Sequence, residues 1–409
     1  MPVILVGTLD TKGVEFAFVR DLIESEGLDA LVIDAGSIGP PLCPPDVSRA
    51  EVFRRAGTSA VDVRARDDRG EAVAAAARGV ARIVAELSAR GEVQGVLGLG
   101  GSAGTVIGTA AMRAVPFGVP KVMVSTLASG QTRPYVGGSD VTMMYPVADL
   151  AGLNRLTRTI LTNAAHALSG MVRARSRATS TGDDRPLVAA TMFGVTTPCV
   201  DHARRILEGE GLEVVVFHAT GVGGQSMEGL VRDGQVRGLL DLTTTELADE
   251  LVGGILSAGP DRLAAAIRAG TPQVVSVGAL DMVNFGPPET VPAKFAVRRL
   301  HAHNPSVTLM RTLPAENAAL GVWMARVLGL ATVPIVVLLP LRGVSALDAP
   351  GGPFEDAEAD RALFEALTLG LAGHPFVRVE ARDEHINDPS FAAAAARSLL
   401  ALPGWLQRS

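Results

Sequence analysis

The chain has few aromatic residues and no dense run of lysine and arginine. Aromatic residues make up 4% of the 409 positions, too few to build the stacking surfaces that bind single-stranded nucleic acid. The formal net charge is −6, and the most basic segment, 173–177, reads as a solvated tether between domains. Because DNA and RNA binding requires a basic face, we expect no nucleic-acid partner.

Cysteines and long apolar runs are also scarce. Cys43 and Cys199 are too far apart in sequence to form a disulfide framework or a CxxC metal site, which fits a reducing cytoplasm. The first ten residues lack the basic start of a signal peptide and reach Asp10 too soon. The longest apolar run, 333–341, is interrupted by two prolines and predicts a buried strand. We therefore expect a cytoplasmic protein outside the membrane.

Short apolar strands alternate with amphipathic helices along both halves of the chain. Such alternation predicts an α/β fold of two Rossmann-like, doubly wound lobes, whose mainly parallel sheets are covered by helices on both faces. The polar segment 174–186 is rich in Ser, Thr and Gly and marks the best domain boundary. We place the lobes at residues 1–176 and 186–409.

The two lobes open in the same way. Residues 3–37 and 187–221 both consist of a strand, a polar turn, a helix, the tripeptide EGL, a second strand and a small polar loop. This similarity predicts a divergent duplication. The alternative is that βαβ units look alike in general.

Two loops of the first lobe have the chemistry of a phosphate site. Both GTLDTKG (7–13) and GLGGSAGT (98–105) follow a strand and lead into a helix, whose first amides attract anions. Lys12 can neutralise phosphate oxygens, and Asp10 can hold magnesium directly or through water. The second loop is neither a Walker A loop nor a dinucleotide fingerprint, which favours a mononucleotide over NAD. The alternatives are a capped turn and tight packing of small residues.

Further polar groups follow the neighbouring strands. Asp34 ends the second strand, where an acidic residue meets either a ribose or its own turn. Asp67 or Asp68 caps the helix that begins at Arg69, and Arg69 either reaches a phosphate or stays solvated. The loop 125–132 follows another strand. We expect all these loops to converge at the carboxyl edge of one sheet.

The motifs GTLDTKG, DDRG, GLGGSAGT and STLASGQT, with HNPSVTLMRT and HINDPSF later in the chain, occur together in order. In this combination the chain resembles the family of the ATP-binding domain of the tomato mosaic virus resistance protein and its uncharacterised bacterial relatives. The resemblance implies ATP with Mg²⁺ in the first lobe, a homodimer, and a separate protein that supplies the barrel domain of the plant protein. It implies nucleotide contacts at Asp10, Thr11, Lys12, Ser37, Arg69, Gly100, Gly101, Ser102 and Ala103.

The second lobe carries its own polar loops. Gly223, Gly224 and Gln225 lie in a loop that predicts a cradle for an anionic substrate. Asp241 ends the next strand and is a candidate for proton transfer. Glu246 fits a capping box at the start of the following helix.

Three histidines are further candidates in this lobe. His385 lies among acidic residues and is either a general acid or base or part of a loop fixed by Asn and Asp turns. His301 and His303 form either a metal-binding pair or a surface pair.

These features support two functions of different kinds. The first is an ATP-dependent enzyme acting on a small anionic molecule held between the lobes, with His385 or Asp241 carrying a proton. The second is a nucleotide-gated binding or regulatory module that acts through a partner protein without turnover. A dinucleotide-dependent oxidoreductase is disfavoured because the first turn lacks the required fingerprint.

Overall fold

The two halves of the chain form two compact units, Met1–Gly182 and Asp183–Ser409, in a computed structural model. The structure describes residues 1–177 and 185–403, so the predicted boundary 174–186 lies largely outside the described residues. Among these residues, no helix combines the length and the apolarity needed to cross a bilayer.

The first unit contains one parallel sheet with the strand order β2-β1-β3-β4-β5. Its strands are β1 (Val3–Gly7), β2 (Ala30–Asp34), β3 (Gly95–Gly100), β4 (Lys121–Ser125) and β5 (Thr142–Met144). Its helices are α1 (Leu9–Ser25), α2 (Arg49–Arg55), α3 (Ala60–Ala65), α4 (Arg69–Ala89), α5 (Ser102–Met112), α6 (Arg133–Val136) and α7 (Arg155–Arg177).

Strand β1 shows why this sheet is covered on both faces. Every residue of β1 is buried, and successive side chains enter different cores. Ile4 and Val6 pack with α4 and α5, whereas Val3 and Leu5 pack with α1 and α7. The chain runs from β1 to β2 on one side and then crosses over β1 to β3 on the other side, so the direction of the connections reverses between β1 and β3. In open α/β sheets this reversal point opens a crevice at the carboxyl ends of the strands.

The second unit combines a parallel sheet of order β14-β13-β9-β8-β6-β7 with a small antiparallel sheet of order β10-β12-β11. Its strands are β6 (Leu187–Met192), β7 (Glu213–His218), β8 (Gly238–Thr243), β9 (Gln273–Gly278), β10 (Met282–Phe285), β11 (Leu300–Asn304), β12 (Val307–Arg311), β13 (Ile335–Pro340) and β14 (Val377–Arg382). Its helices are α8 (Thr197–Gly209), α9 (Val222–Arg232), α10 (Glu246–Val252), α11 (Ala264–Ala269), α12 (Pro314–Leu328), α13 (Ala357–Gly370) and α14 (Pro389–Leu400).

The predicted fold class is confirmed, with two mainly parallel sheets flanked by helices. Helix α4 begins at Arg69 because the carboxylate of Asp68 accepts a hydrogen bond from the Glu71 amide at 3.0 Å. Two details differ from expectation. The antiparallel sheet was not predicted, and segment 173–177 is the end of α7 rather than a tether. Arg173 there pairs with Glu26 at 2.6 Å.

Glycines at two helix positions predict opposite responses to alanine. A Cβ at Gly79 in α4 would lie 2.0 Å from the Val52 carbonyl oxygen of α2, whereas a Cβ at Gly170 in α7 meets nothing within 4 Å. We expect Gly79→Ala to lower the free energy of unfolding by about 1–3 kcal/mol through overpacking. Gly170→Ala should raise it by up to about 1 kcal/mol, because alanine favours the helix. Urea unfolding followed by circular dichroism measures both, and a stabilised Gly79→Ala variant would contradict the packing.

Candidate functional site

A cavity of about 660 Å³ lies at the carboxyl edge of the first-unit sheet. It is bounded by the β1–α1 turn, the loop after β2, the start of α4 and the β3–α5 loop. Every residue predicted to contact a nucleotide lines it, although these residues come from four separate parts of the unit. They are Asp10, Thr11, Lys12, Ser37, Arg69, Gly100, Gly101, Ser102 and Ala103.

Besides α4, whose start is capped by Asp68, two helices begin at this cavity. Helix α1 follows Thr8 and helix α5 follows Gly101, and neither residue caps its helix with a side-chain hydrogen bond. The first amides of a helix need acceptors, and together with the helix dipole they favour an anion. Gly100 brings the loop close to α5: its φ is +152°, and a Cβ there would lie 3.1 Å from Cα of Gly104.

Asp10 lines the cavity but also anchors the loop after β2. Its Oδ2 accepts hydrogen bonds from the amides of Ile38 at 2.8 Å and Gly39 at 3.2 Å. Arg49 lies 3.7 Å from the same oxygen and donates to the Gly39 carbonyl. Gly36 is required here, because a Cβ would lie 2.6 Å from Oδ1 of Asp10. Asp10 thus shapes the cavity, and only Oδ1 is left for a metal.

Asp34 belongs to the same loop anchor. Its carboxylate is buried and accepts hydrogen bonds from the Leu9 amide at 3.2 Å, the Gly36 amide at 2.9 Å and Nε of Arg49 at 2.7 Å. Of the two roles considered for Asp34, this geometry favours the turn over the ribose. Arg49 was not predicted from the sequence, because its partners lie 15 and 39 residues away along the chain.

The cavity carries charges of both signs. The Lys12 ammonium donates to the carbonyl of Leu150, which holds the lysine beside the loop that contributes Asp149 to the lining. Arg64 and Arg69 add exposed guanidinium groups. An entering anion would therefore meet cationic side chains as well as helix amides.

The fourth predicted loop, 125–132, packs against the start of α5 outside the cavity. None of its residues is among those lining the cavity. Instead, the Ser125 hydroxyl lies 2.6 Å from the Thr105 hydroxyl on α5. The Thr126 side chain reaches the back of Gly101, where a Cβ would lie 3.7 Å from its Oγ1. The loop fixes the start of α5 rather than offering ligand groups.

The polar side chains around Arg262 in the second unit bind one another. Arg262 is fully buried and binds both oxygens of Asp241, at 2.5 and 2.6 Å. It also donates to Glu246 at 2.7 Å and lies 3.4 Å from Glu228. The Thr191 hydroxyl donates to Asp241 at 2.8 Å. This environment gives Asp241 a structural role and leaves it no room to carry a proton to a substrate.

The predicted anion cradle holds a carboxylate of the chain itself. Oε1 of Glu246 accepts hydrogen bonds from the amides of Gly221 at 2.6 Å and Gly224 at 3.0 Å, at the start of α9. A Cβ at Gly224 would lie 2.2 Å from Glu246, and one at Gly223 would lie 1.8 Å from a backbone oxygen. Gln225 points elsewhere and donates to a backbone carbonyl at 3.4 Å. The loop does bind an anion, but an internal one.

The capping box predicted at Glu246 is wrong. Helix α10 is preceded by Thr245, which makes no side-chain cap, because Glu246 is drawn into the Arg262 network. Burial raises the pKa of Glu246, and the nearby Arg262 opposes this shift. The local sequence pattern could not reveal partners that lie 16 to 25 residues away.

His385 is held by its own loop. One ring nitrogen, Nε2, lies 2.8 Å from the Ser345 carbonyl oxygen, and Nδ1 accepts a hydrogen bond from the Asn387 amide at 3.1 Å. Asp388 accepts from the His385 amide at 2.8 Å. Both ring nitrogens are therefore engaged. The geometry favours the fixed loop over the general acid or base.

His301 and His303 lie two residues apart on strand β11, but the pairing with β12 shifts register between Ala302 and Asn304, so the regular alternation that would place both on one side is interrupted at His303. The His301 ring packs edge-on against Phe354 at 6.0 Å between centroids. Within residues 1–177 and 185–403, no group of three or more His, Cys, Asp or Glu side chains is arranged to hold a metal ion. The surface-pair interpretation is favoured.

The chain is thus a two-unit α/β protein, and its first unit has a cavity with the features of an anion site at the carboxyl ends of the β-strands. Its family follows from comparison with known sequences. The N-terminal domain of the uncharacterised protein family UPF0261 matches residues 1–177, and the C-terminal domain of that family matches residues 185–403. The chain therefore belongs to the UPF0261 family, as the motif resemblance predicted.

Relatives occur in bacteria and in a plant. A UPF0261 protein of Clostridium tetani is 50% identical over 398 residues, which cover 97% of this chain and 98% of that protein. The ToMV susceptible protein tm-1(GCR26) of Solanum lycopersicum is 40% identical over 97% of this chain, a region that covers 55% of the tomato protein. The tomato ToMV resistance protein Tm-1(GCR237) is 44% identical over 82% of this chain and 45% of its own length. The chain thus spans about half the length of the tomato proteins.

Solved structures are more distant. A crystal structure of UDP-N-acetylglucosamine 2-epimerase is 13% identical, covers 67% of this chain and 78% of its own, and has a TM-score of 0.25. A likeness of this size does not bear on function.

Replacing Arg262 tests the structural assignment of the second-unit charges. Arg262→Met leaves Asp241, Glu246 and Glu228 buried without a counter-charge, so we expect the free energy of unfolding to fall by about 3–5 kcal/mol. The matched control is Arg268→Met, because Arg268 is an exposed member of the same unit and pairs with Asp261 at 3.1 Å. Its loss should cost at most about 1 kcal/mol. Equal losses in urea unfolding would show that the buried network does not stabilise the unit.

Proposed function

We propose that the first unit binds ATP with magnesium in the cavity at the carboxyl edge of its sheet. The observation that supports this most is the meeting of the starts of α1 and α5 with Lys12 at one cavity. Backbone amides at helix starts, aided by a lysine, are a recurring way to bind phosphate groups. The cavity volume also falls in the range of about 300–1,000 Å³ that is typical of small-molecule sites.

The lining suggests how the parts of ATP are shared among the residues. The phosphates would take the amides at the starts of α1 and α5, with Lys12 and Arg69 adding charge-assisted hydrogen bonds. The adenine base would lie against the apolar part of the lining, formed by Val63, Val73 and Ile107. Lys12 would exchange the Leu150 carbonyl for a phosphate oxygen.

The carboxylate oxygens in the cavity fit magnesium better than a metal ion that takes all its ligands from the protein. Magnesium is usually held by one or two carboxylates together with substrate phosphates and water. The cavity offers Oδ1 of Asp10 and the carboxylate of Asp149 for this purpose. When bound, the ion would neutralise phosphate charge.

Of the two roles considered, we favour a nucleotide-gated binding module over an ATP-dependent enzyme. Both residues proposed for proton transfer are engaged inside the second unit, Asp241 by Arg262 and His385 by its own loop. A homodimer and a separate barrel-domain partner stay predictions from the family, to be read from sedimentation with and without ATP. A cytoplasmic location fits the two buried, free cysteines.

Titration calorimetry with ATP, ADP, AMP and NAD, each with and without Mg²⁺, tests the ligand. We expect ATP with magnesium to bind most tightly, since it makes the most phosphate contacts, and NAD to bind weakly. Tight NAD binding without ATP binding would contradict the proposal. An ATP turnover assay then separates the roles, because the binding module predicts no turnover.

Two substitutions locate the phosphate site. Lys12→Ala removes a cation, and Ser102→Asp places a carboxylate at the start of α5. We expect each to weaken ATP binding by at least about 10- to 100-fold without unfolding the chain. Ser102→Ala, which keeps the backbone amides, and Lys294→Ala, in the second unit, are the matched controls. Unchanged affinity in Lys12→Ala and Ser102→Asp would remove the phosphates from this cavity.

A further inference from the structure

The second unit has a cavity of its own, with a volume of about 870 Å³. It lies at the carboxyl end of β13, against helix α13. Its walls are mostly apolar and include Leu339, Leu341, Phe364, Leu369 and Ala381. Leu341 is 47% exposed and Leu369 is 80% exposed, so apolar surface continues from the cavity wall to the solvent. Exposed apolar surface of this kind often marks a binding site.

Two of the carboxyl groups in the lining are largely buried. The side chains of Asp348 and Asp360 are 1% and 12% exposed. Behind them lies Arg311, 2.6 Å from Asp360 and 3.6 Å from Asp348.

A third carboxylate completes this group. Asp281 is fully buried; its Oδ2 accepts a hydrogen bond from the Ser345 hydroxyl at 2.7 Å, and its Oδ1 has no partner. Three carboxyl groups thus share the single guanidinium of Arg311. One cation cannot neutralise three buried carboxylates, so the group favours either bound protons or a second cation.

The raised pKa values of the three carboxyl groups favour bound protons. Burial, with the charges of Asp281 and Asp360 adding to it, raises the pKa of Asp348 to about 9, so this carboxyl is protonated at neutral pH. Burial likewise raises the pKa of Asp281 to about 6 and raises that of Asp360, while Arg311 opposes both shifts. Asp356, at the start of α13, adds a further negative charge facing Asp360.

We propose that this cavity binds a small organic cation, a primary ammonium group carried on an apolar body. The ammonium group would lie at Asp360 and Asp348, and the apolar part would lie along Phe364 and Leu369. As the cation enters, the Asp348 carboxyl releases its proton to solvent, so that one positive charge replaces another.

The charges around the cavity support a cation over an anion. The carboxyl groups of Asp348, Glu355, Asp360 and Glu365 line it, whereas the cations among the described lining residues are two arginines. One of these, Arg342, is paired with Asp383 at 2.7 Å. An anionic ligand would be repelled by the carboxyl groups, and a neutral ligand would make only the apolar contacts.

Three probes of equal chain length separate these cases. n-Hexylammonium, 1-hexanol and hexanoate share the apolar tail and differ at the polar end, and saturation-transfer NMR on the full chain measures their affinities. We expect hexylammonium to bind at least about tenfold more tightly than either of the others. Its affinity should rise between about pH 6 and pH 8, by up to about tenfold per pH unit, because the released proton is linked to binding.

Variants with exposed controls locate the probe. Asp360→Asn should remove the preference for hexylammonium over 1-hexanol, whereas Asp261→Asn, which changes a side chain 81% exposed in the same unit, should keep it. Leu369→Arg places a cation at the mouth and should abolish hexylammonium binding without unfolding the chain. Leu369→Ala should weaken all three probes alike.

Three results would overturn the proposal. The first is equal affinity for the three probes, and the second is an unchanged preference in a folded Asp360→Asn variant. The third is a wild-type assembly in sedimentation that Leu369→Arg dissociates while no probe saturates, because the apolar face would then be a subunit contact.

Discussion

Amides at the start of a helix need acceptors, and the two units meet this need differently. In the second unit Glu246 reaches the start of α9 and accepts hydrogen bonds from Gly221 and Gly224. In the first unit the start of α5 has no side-chain cap, and at the start of α1 Asp34 accepts a hydrogen bond from the Leu9 amide alone; both starts face a cavity with Lys12 on its lining. An internal carboxylate therefore closes one loop, and the other has room for an anion from outside.

The internal carboxylates depend in turn on buried arginines. Arg262 and Arg311 each lie among three carboxyl groups of the second unit, and both arginines are almost completely buried. Pairs of this kind are costly to break, because removing one partner leaves an uncompensated charge inside the protein. Asp241 therefore fixes the architecture of its unit. At Arg311 the excess of negative charge extends to a cavity wall, where a ligand could share it.

Much of the first site could be predicted because it follows chain order. Polar loops after parallel strands meet at one sheet edge, so Asp10, Lys12 and Ser102 could be placed together from their positions after β1 and β3. The role of Glu246 could not be predicted. Glu246 follows Thr243 by three residues, which is the spacing of a local capping box, but its hydrogen-bond partners lie elsewhere in the fold. Arg49 was missed for the same reason: its contacts with Asp10 and Asp34 exist only after the β-strands have paired.

We infer that the first cavity binds the phosphates of a nucleotide. A crystal structure of the chain grown with magnesium and a non-hydrolysable ATP analogue would locate those phosphates. We expect phosphate oxygens within hydrogen-bond distance of the amides of Ser102 and Ala103, with the Lys12 ammonium moved from Leu150 to a phosphate. A nucleotide bound elsewhere, or no nucleotide at a saturating concentration, would contradict it.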